Sequence, residues 1–174
     1  MPDREPVETT NLDIYGFAAL PWSRPRDLLD RGSLGKDTAF FLGTCRPDGR
    51  PHAAGIGAVW SDGDLYFTSG PGARKARNLA ANPACTISVR LPGIDLVLEG
   101  EAARVTDRPT LERVVTIFNS GGWPAKVEGD AFTAPFSAPT AGPPPWHLYR
   151  FTFDTAFGVA TEEPSGGTRW RFDR

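Results

Sequence analysis

A chain of 174 residues with 40% hydrophobic content is long enough for one ordinary packed core. Its formal net charge of -2 supplies no global basic field, which argues against nucleic acid as a partner. The opening MPDREPVETT lacks the apolar run of a signal peptide and no stretch reaches membrane-spanning length, so a cytoplasmic protein with no membrane partner is expected.

Residues 1–12 are polar and read as a loose N-terminal arm. "SRPRDLLDRG" predicts a short helix with Ser23 as cap, Pro25 in the first turn and Gly32 as stop. "TAFFLGTC" reads as a strand, "RPDGRP" as a turn, "HAAGIGAVW" as a second strand, "SDGD" as a tight hairpin and "LYFTS" as a third strand. Past a helix opening near Arg74, "ACTISVRL" and "LVLEGEAARVT" predict two strands joined at Pro92-Gly93. "TDRPTLERVVTIFN" predicts a capped helix with Leu111, Val114, Val115 and Phe118 on one face. Residues 121–145 are rich in Gly and Pro yet keep Trp123, Phe132 and Phe136, which favours an ordered loop packed on the rest of one domain. "WHLYRFTF", "AFGVATEE" and "TRWRFDR" end the chain as short strands. Many strands, few helices and hairpin-length links predict a mainly β protein, an antiparallel barrel rather than a doubly wound sheet.

The stretch "TSGPGARKARN" has the outline of an anion site. A helix N-terminus offers free N–H groups and partial positive charge, Gly70 and Gly72 permit close backbone approach, and Arg74, Lys75 and Arg77 supply cations. Arg74, Arg77 and Asn78 lie at helical spacing, and Lys75 flanks them. Lys75 is one of only three lysines beside 16 arginines, so it is a poor candidate for surface filler. A solvated helix face is the competing reading. A Walker loop is excluded because GxxxxGK[ST] is absent and Ala76 follows Lys75; the dinucleotide fingerprint is absent too.

In "HAAGIGAVW" the alternate positions Ala53, Gly55 and Gly57 point to one side and carry almost no side chain. Such a strip suits either close approach by a flat ring or simple sheet curvature. His52 and His147 are the only histidines, too few for a rich metal cluster, and no metal site is expected. His147 reads as structural. Trp123, Trp146 and Trp170 read as core or interface residues, and Cys45 and Cys85 as buried thiols in a reducing compartment. No catalytic constellation is visible.

Together, "PDGRPHAAGIGAVWSDGDLYFTSGPGARKARNLAANP" resembles the flavin- and deazaflavin-binding split β-barrel family related to pyridoxamine 5′-phosphate oxidase. The shared parts are the P-D-G-x-P hairpin, the D-G hairpin, the aromatic-Thr strand end Phe67-Thr68, and the K-A-x-N-L…N-P run, with Ala73 where many members have Ser. The resemblance covers residues 37–107 well, and "TRWRF" looks like the ending of an actinobacterial branch. It implies a split antiparallel β-barrel and a homodimer with the cofactor between protomers, coenzyme F420 ahead of FMN. Arg74 and Lys75 would hold the phosphate with Thr68, Ser69 and Asn78; Phe67 would lie beside them, and His52 where relatives place an Arg. Gly55, Ile56 and Gly57 would lie along the ring. The implied activity is hydride transfer to or from a small organic substrate, with a non-catalytic flavin, deazaflavin or haem carrier as the alternative. Pyridoxamine phosphate oxidation itself is not favoured, since the C-terminal ending departs from that of the oxidase.

Overall fold

Alternating apolar residues in the middle of the chain pair into one nine-stranded antiparallel sheet in the computed structural model, which describes residues 4–32, 38–139 and 141–173. In chain order the elements are β1 (Glu8–Asn11), α1 (Ser23–Asp30), β2 (Phe40–Cys45), β3 (Pro51–Ile56), β4 (Ala58–Ser61), β5 (Asp64–Ser69) and α2 (Arg74–Ala81). They continue with β6 (Ala84–Leu91), β7 (Ile94–Val105), α3 (Arg108–Ser120), β8 (Lys126–Glu128), β9 (Ala131–Thr133), β10 (His147–Ala160) and β11 (Gly167–Arg171). The main path runs β1-β11-β10-β7-β6-β2-β3, while β5 bridges β10 and β4. The fold is therefore mainly antiparallel β with three helices among the described residues. The sheet does not close: β3 pairs with β2, β4 pairs with β5, and no ladder joins β3 to β4.

Two expected strands differ in extent. "HAAGIGAVW" breaks at Gly57 into β3 and β4, which serve different neighbours. The segment expected as "WHLYRFTF" and "AFGVATEE" is instead one strand, β10. Its residues 147–151 pair with β5 and its residues 155–159 with β11, while β7 accompanies it throughout. The register shifts between Phe153 and Thr155, opposite Gly100. A Cβ on Gly100 would sit 2.2 Å from the Thr152 carbonyl oxygen, so only glycine fits under the bulge.

The N-terminal arm is not loose throughout. Residues 8–11 form β1 on β11, with Glu8 accepting from Arg169 and Arg171. Arg4 donates to the Phe153 carbonyl at 2.9 Å, its guanidinium 5.2 Å from the Phe153 ring centre. Ser23 lies inside α1 rather than capping it: Trp22 occupies the cap position, and no side chain accepts from the helix there. The 121–145 segment carries the β8–β9 hairpin, and Phe132 exchanges backbone hydrogen bonds with Trp146.

Strand alternation separates two cores. Leu42, Leu65, Phe67, Ile87, Leu98, Phe151 and Trp170 fill the inner face of the sheet. Tyr66, Val105 and Leu148 point the other way and pack beneath Leu111, Val114 and Phe118 of α3. The turn between β4 and β5 is a two-residue hairpin, with Asp62 and Gly63 both at positive φ (54° and 80°).

Candidate functional site

The expected anion turn is a strand–turn–helix in the structure. β5 delivers Thr68 and Ser69, the chain turns through residues 70–73, and α2 begins at Arg74. The cap position is Ala73, whose side chain has nothing to offer the first N–H groups, and no acidic residue stands in the first turn. The helix therefore starts with unsatisfied donors and an uncompensated positive end.

The second face of α2 explains why it stays attached. Asn78 is buried and donates from Nδ2 to the Thr44 hydroxyl at 3.0 Å, tying the helix to β2. Thr44 stands opposite His52 in the β2–β3 ladder, so His52 is linked to α2 through one residue. His52, Thr44, Cys45 and Cys85 share a cavity of about 620 Å³. Both cysteines are free; Cys45 is only half-buried, and burial pushes the Cys85 thiol up to about 12, which leaves it inert.

Lys75 is the anomaly. Its residue is 9% exposed, on the inward side of α2 between Asn78 and Leu79. No carboxylate or hydrogen-bond acceptor holds its ammonium among the described residues. Burial alone holds its pKa below the ordinary lysine value. Arg74 and Arg77 are exposed. The three cations thus diverge: Lys75 stands on the packed side of α2, Arg74 and Arg77 on the exposed side.

Other expected site residues separate in the same way. Ser69 is fully buried, with its hydroxyl donating to the Gly70 carbonyl at 3.1 Å; Thr68 is half-exposed. Phe67 is a core residue, its ring stacked on Tyr149 at 5.3 Å and 7°, and it supports the turn from behind. Ile56 packs against the core, whereas Gly55 and Gly57 are exposed, as is Ala53. A Cβ at either glycine would meet no atom within 4 Å, so nothing inside this chain requires glycine there.

Two features of the site had no signal in the sequence reading. A Cβ on Gly70 would lie 2.5 Å from the Ala141 carbonyl oxygen, so the Gly/Pro-rich segment is seated directly on the anion turn. The Ala138–Gly142 bridge closes that part of the segment. Beside Gly57 lies a cavity of about 700 Å³ whose walls include Ile56, Trp60, Ile117, Phe118 and Trp123. The wide Trp-Phe spacing gave no hint that these rings would meet around Gly57. Among the described residues no three His, Cys, Asp or Glu side chains cluster as a metal site, and no helix is long and apolar enough to cross a membrane.

An open antiparallel sheet split between β3 and β4, with a strand–turn–helix on one side, is the architecture of a split-barrel protein. Residues 31–156 match the pyridoxamine 5′-phosphate oxidase family, and the chain belongs to it. Solved structures agree on the fold. An F420 reductase aligns at 23% identity and a TM-score of 0.52, covering 75% of this chain and 94% of that one. A pyridoxamine 5′-phosphate oxidase-related, FMN-binding protein from Nostoc punctiforme aligns at 16% identity and TM-score 0.55, covering 89% and 98%. A heme binding protein from Mycobacterium smegmatis aligns at 14% identity and TM-score 0.57, covering 80% of this chain and 56% of that one. No curated protein matches the sequence.

Proposed function

We propose that this protein is an oxidoreductase that holds a flavin-type cofactor, coenzyme F420 ahead of FMN. In this reading Lys75, Arg74 and the uncapped start of α2 bind the cofactor phosphate. The observation that carries it is Lys75, a lysine 9% exposed on the packed side of α2 whose charge is partly desolvated and which has no acid beside it among the described residues, since a desolvated cation without a partner is costly unless an anion offsets it. The family match and the F420 reductase and FMN-binding neighbours support the cofactor class, and the "TRWRF" ending inclines the choice toward F420.

Gly55 and Gly57 leave a bare outer strip on which a tricyclic ring can lie without meeting a side chain. When bound, such a cofactor supplies hydride transfer, so the protein needs to position and shield the substrate rather than furnish a nucleophile. The cavity beside Gly57, walled in part by Trp60, Ile117 and Trp123, offers apolar rings against which a small organic substrate can sit.

The same reading makes the protein a homodimer. The ladder registers align Gly55, Phe41, Ser88, Val97 and Phe157 in one row on the outer face. Phe41 is 52% exposed and Val97 37%, an apolar row continuous with the bare strip. A second copy covering that row closes the ring site from the open side.

The test is equilibrium binding of the purified protein to F420, FMN and haem, repeated with Lys75→Ala. Binding of F420 or FMN that weakens by about tenfold to a hundredfold in the variant supports the phosphate assignment. Absence of binding by all three overturns the cofactor reading. The second reading, a carrier, draws on the heme binding neighbour and on the want of a proton donor in the glycine strip. Failure of the loaded, reduced protein to turn over enones and quinones would favour it.

A further inference from the structure

The side of α2 away from Asn78 borders a separate cavity of about 580 Å³, which β7 and β10 wall on the far side. Its floor is apolar and small, formed by Pro71, Ala76, Leu79, Ala80, Pro83 and Ala102. Its polar groups are Arg77, Arg104, His147 and Tyr149. Arg104 and Tyr149 are direct ladder partners, and His147 lies two residues before Tyr149 on the same strand face.

The charges in this cavity do not balance. Arg104 is paired with Asp130 at 2.8 Å, but Arg77 has no acidic or hydrogen-bonding partner among the described residues. His147 is held below its ordinary pKa by burial and by the Arg104 guanidinium, with Asp130 opposing in part. An imidazole, a phenol hydroxyl and an uncommitted guanidinium therefore line the same cavity as these apolar walls. That is a donor-rich pocket for one negative charge carried on a hydrophobic body. A guanidinium fork matches a carboxylate in two-point geometry, and the alanine, leucine and proline walls suit the carbon skeleton behind it.

We propose that this cavity, which borders the anion turn at Pro71, is a second ligand site and that it takes a small organic carboxylate. Arg77 and Arg104 bracket the carboxylate, Tyr149 donates to it, and His147 gains a proton when it arrives. The cavity opens on the α2 face opposite the Asn78–Thr44 tether, so occupancy leaves the tether intact. None of this depends on which cofactor, if any, the protein holds.

Benzoate is the probe, with benzamide as its uncharged isostere and inorganic phosphate as the bare anion. Calorimetric titration of the full chain is expected to show benzoate binding at least about tenfold more tightly than benzamide. Arg77→Gln, an exposed position that does not threaten folding, is expected to weaken benzoate by a similar factor, while Arg108→Gln on α3 leaves it unchanged. An imidazole NMR titration is expected to show the His147 pKa rising with benzoate and not with benzamide, with His52 as the second resonance for comparison. Equal affinity for benzoate and benzamide, an unchanged Arg77→Gln, or no binding at all overturns the proposal. Displacement of benzoate by equimolar phosphate shows a plain anion site and overturns the carboxylate assignment. Lys75→Met is expected to keep benzoate affinity; loss of it there shows that cavity and anion turn are one site, and overturns the claim of a second. Loss of F420 or FMN binding alone would count against the cofactor reading and not against this one.

Discussion

Helices α2 and α3 are built from the same alphabet and follow opposite rules. In α3 the start is satisfied: Asp107 accepts from the Thr110 N–H at 3.0 Å, and Pro109 sits in the first turn. Its inward stripe, Leu111, Val114, Val115 and Phe118, is wholly apolar. In α2 the cap is alanine, no acid balances the helix start, and a lysine occupies the middle of the inward side. The cap and the inward stripe of α3 serve stability, and α2 departs from both where the cofactor reading needs it to. Local rules broken together at one place mark a site more reliably than any single residue does.

The largest effect that sharpens this contrast is in α3. Phe118→Ala removes a ring that meets Trp123 edge-on at 5.1 Å and Phe132 at 6.1 Å. It is expected to cost about 3–5 kcal/mol in urea denaturation while leaving cofactor affinity per folded molecule little changed. A loss of less than about 1 kcal/mol would show that the α3 layer is not a packed core.

The matching change in α2 reverses the two readouts. Lys75→Met keeps the length of the side chain and removes the buried charge. Apoprotein stability is expected to hold or rise, because the partly desolvated ammonium has no partner to lose among the described residues. Cofactor affinity is expected to fall by about 1.5–3 kcal/mol. If stability drops instead, Lys75 has a structural partner and α2 is an ordinary packing helix. A smaller and separable effect comes from Ala73→Ser. Restoring a cap is expected to raise apoprotein stability by about 1 kcal/mol, measured as a shift of the denaturation midpoint at unchanged slope.

The same contrast explains what could be read before folding. The strands with alternating apolar residues, the hairpin at Asp62-Gly63 and the cap of α3 all carry local signals, and they formed at nearly the expected places. Partner choice carries no such signal. Nothing in residues 147–160 says that one strand will serve β5 with its first half and β11 with its second; Gly100, more than 50 positions earlier, makes room for the bulge between them. Residues 8–11 are polar because β1 lies at an edge, and its ion pairs reach Arg169 and Arg171, more than 160 residues later. At the site, the cation run and the glycine strip were legible as composition. The burial of Lys75 was not, since an amphipathic reading assigns lysine to the solvent face. Ser69 and Phe67 were implied by the family resemblance, and strand alternation turns both of them inward.

A pH titration separates the two helices at opposite ends of the scale. The Thr110 hydrogen bonds hold the Asp107 carboxyl below the usual aspartate value. Its folded form therefore contributes stability above the unfolded carboxylate range, and that contribution disappears as pH falls through the folded value. Lys75 is also lowered, but by burial. Below its folded pKa both states are protonated, and the native state bears the full cost of the buried charge. Between the folded value and the unfolded value of 10.5 the unfolded chain binds the extra proton, so native stability rises with pH across that window. Comparing wild type with Lys75→Met isolates this rise from the other groups that titrate there, and the rise is expected only in wild-type apoprotein. Saturating F420 or FMN places an anion beside the ammonium, which favours its charged form and removes the rise. A wild-type curve parallel to that of Lys75→Met throughout would mean that the ammonium is solvated in the native state, and the contrast between α2 and α3 would fail at the residue on which it turns.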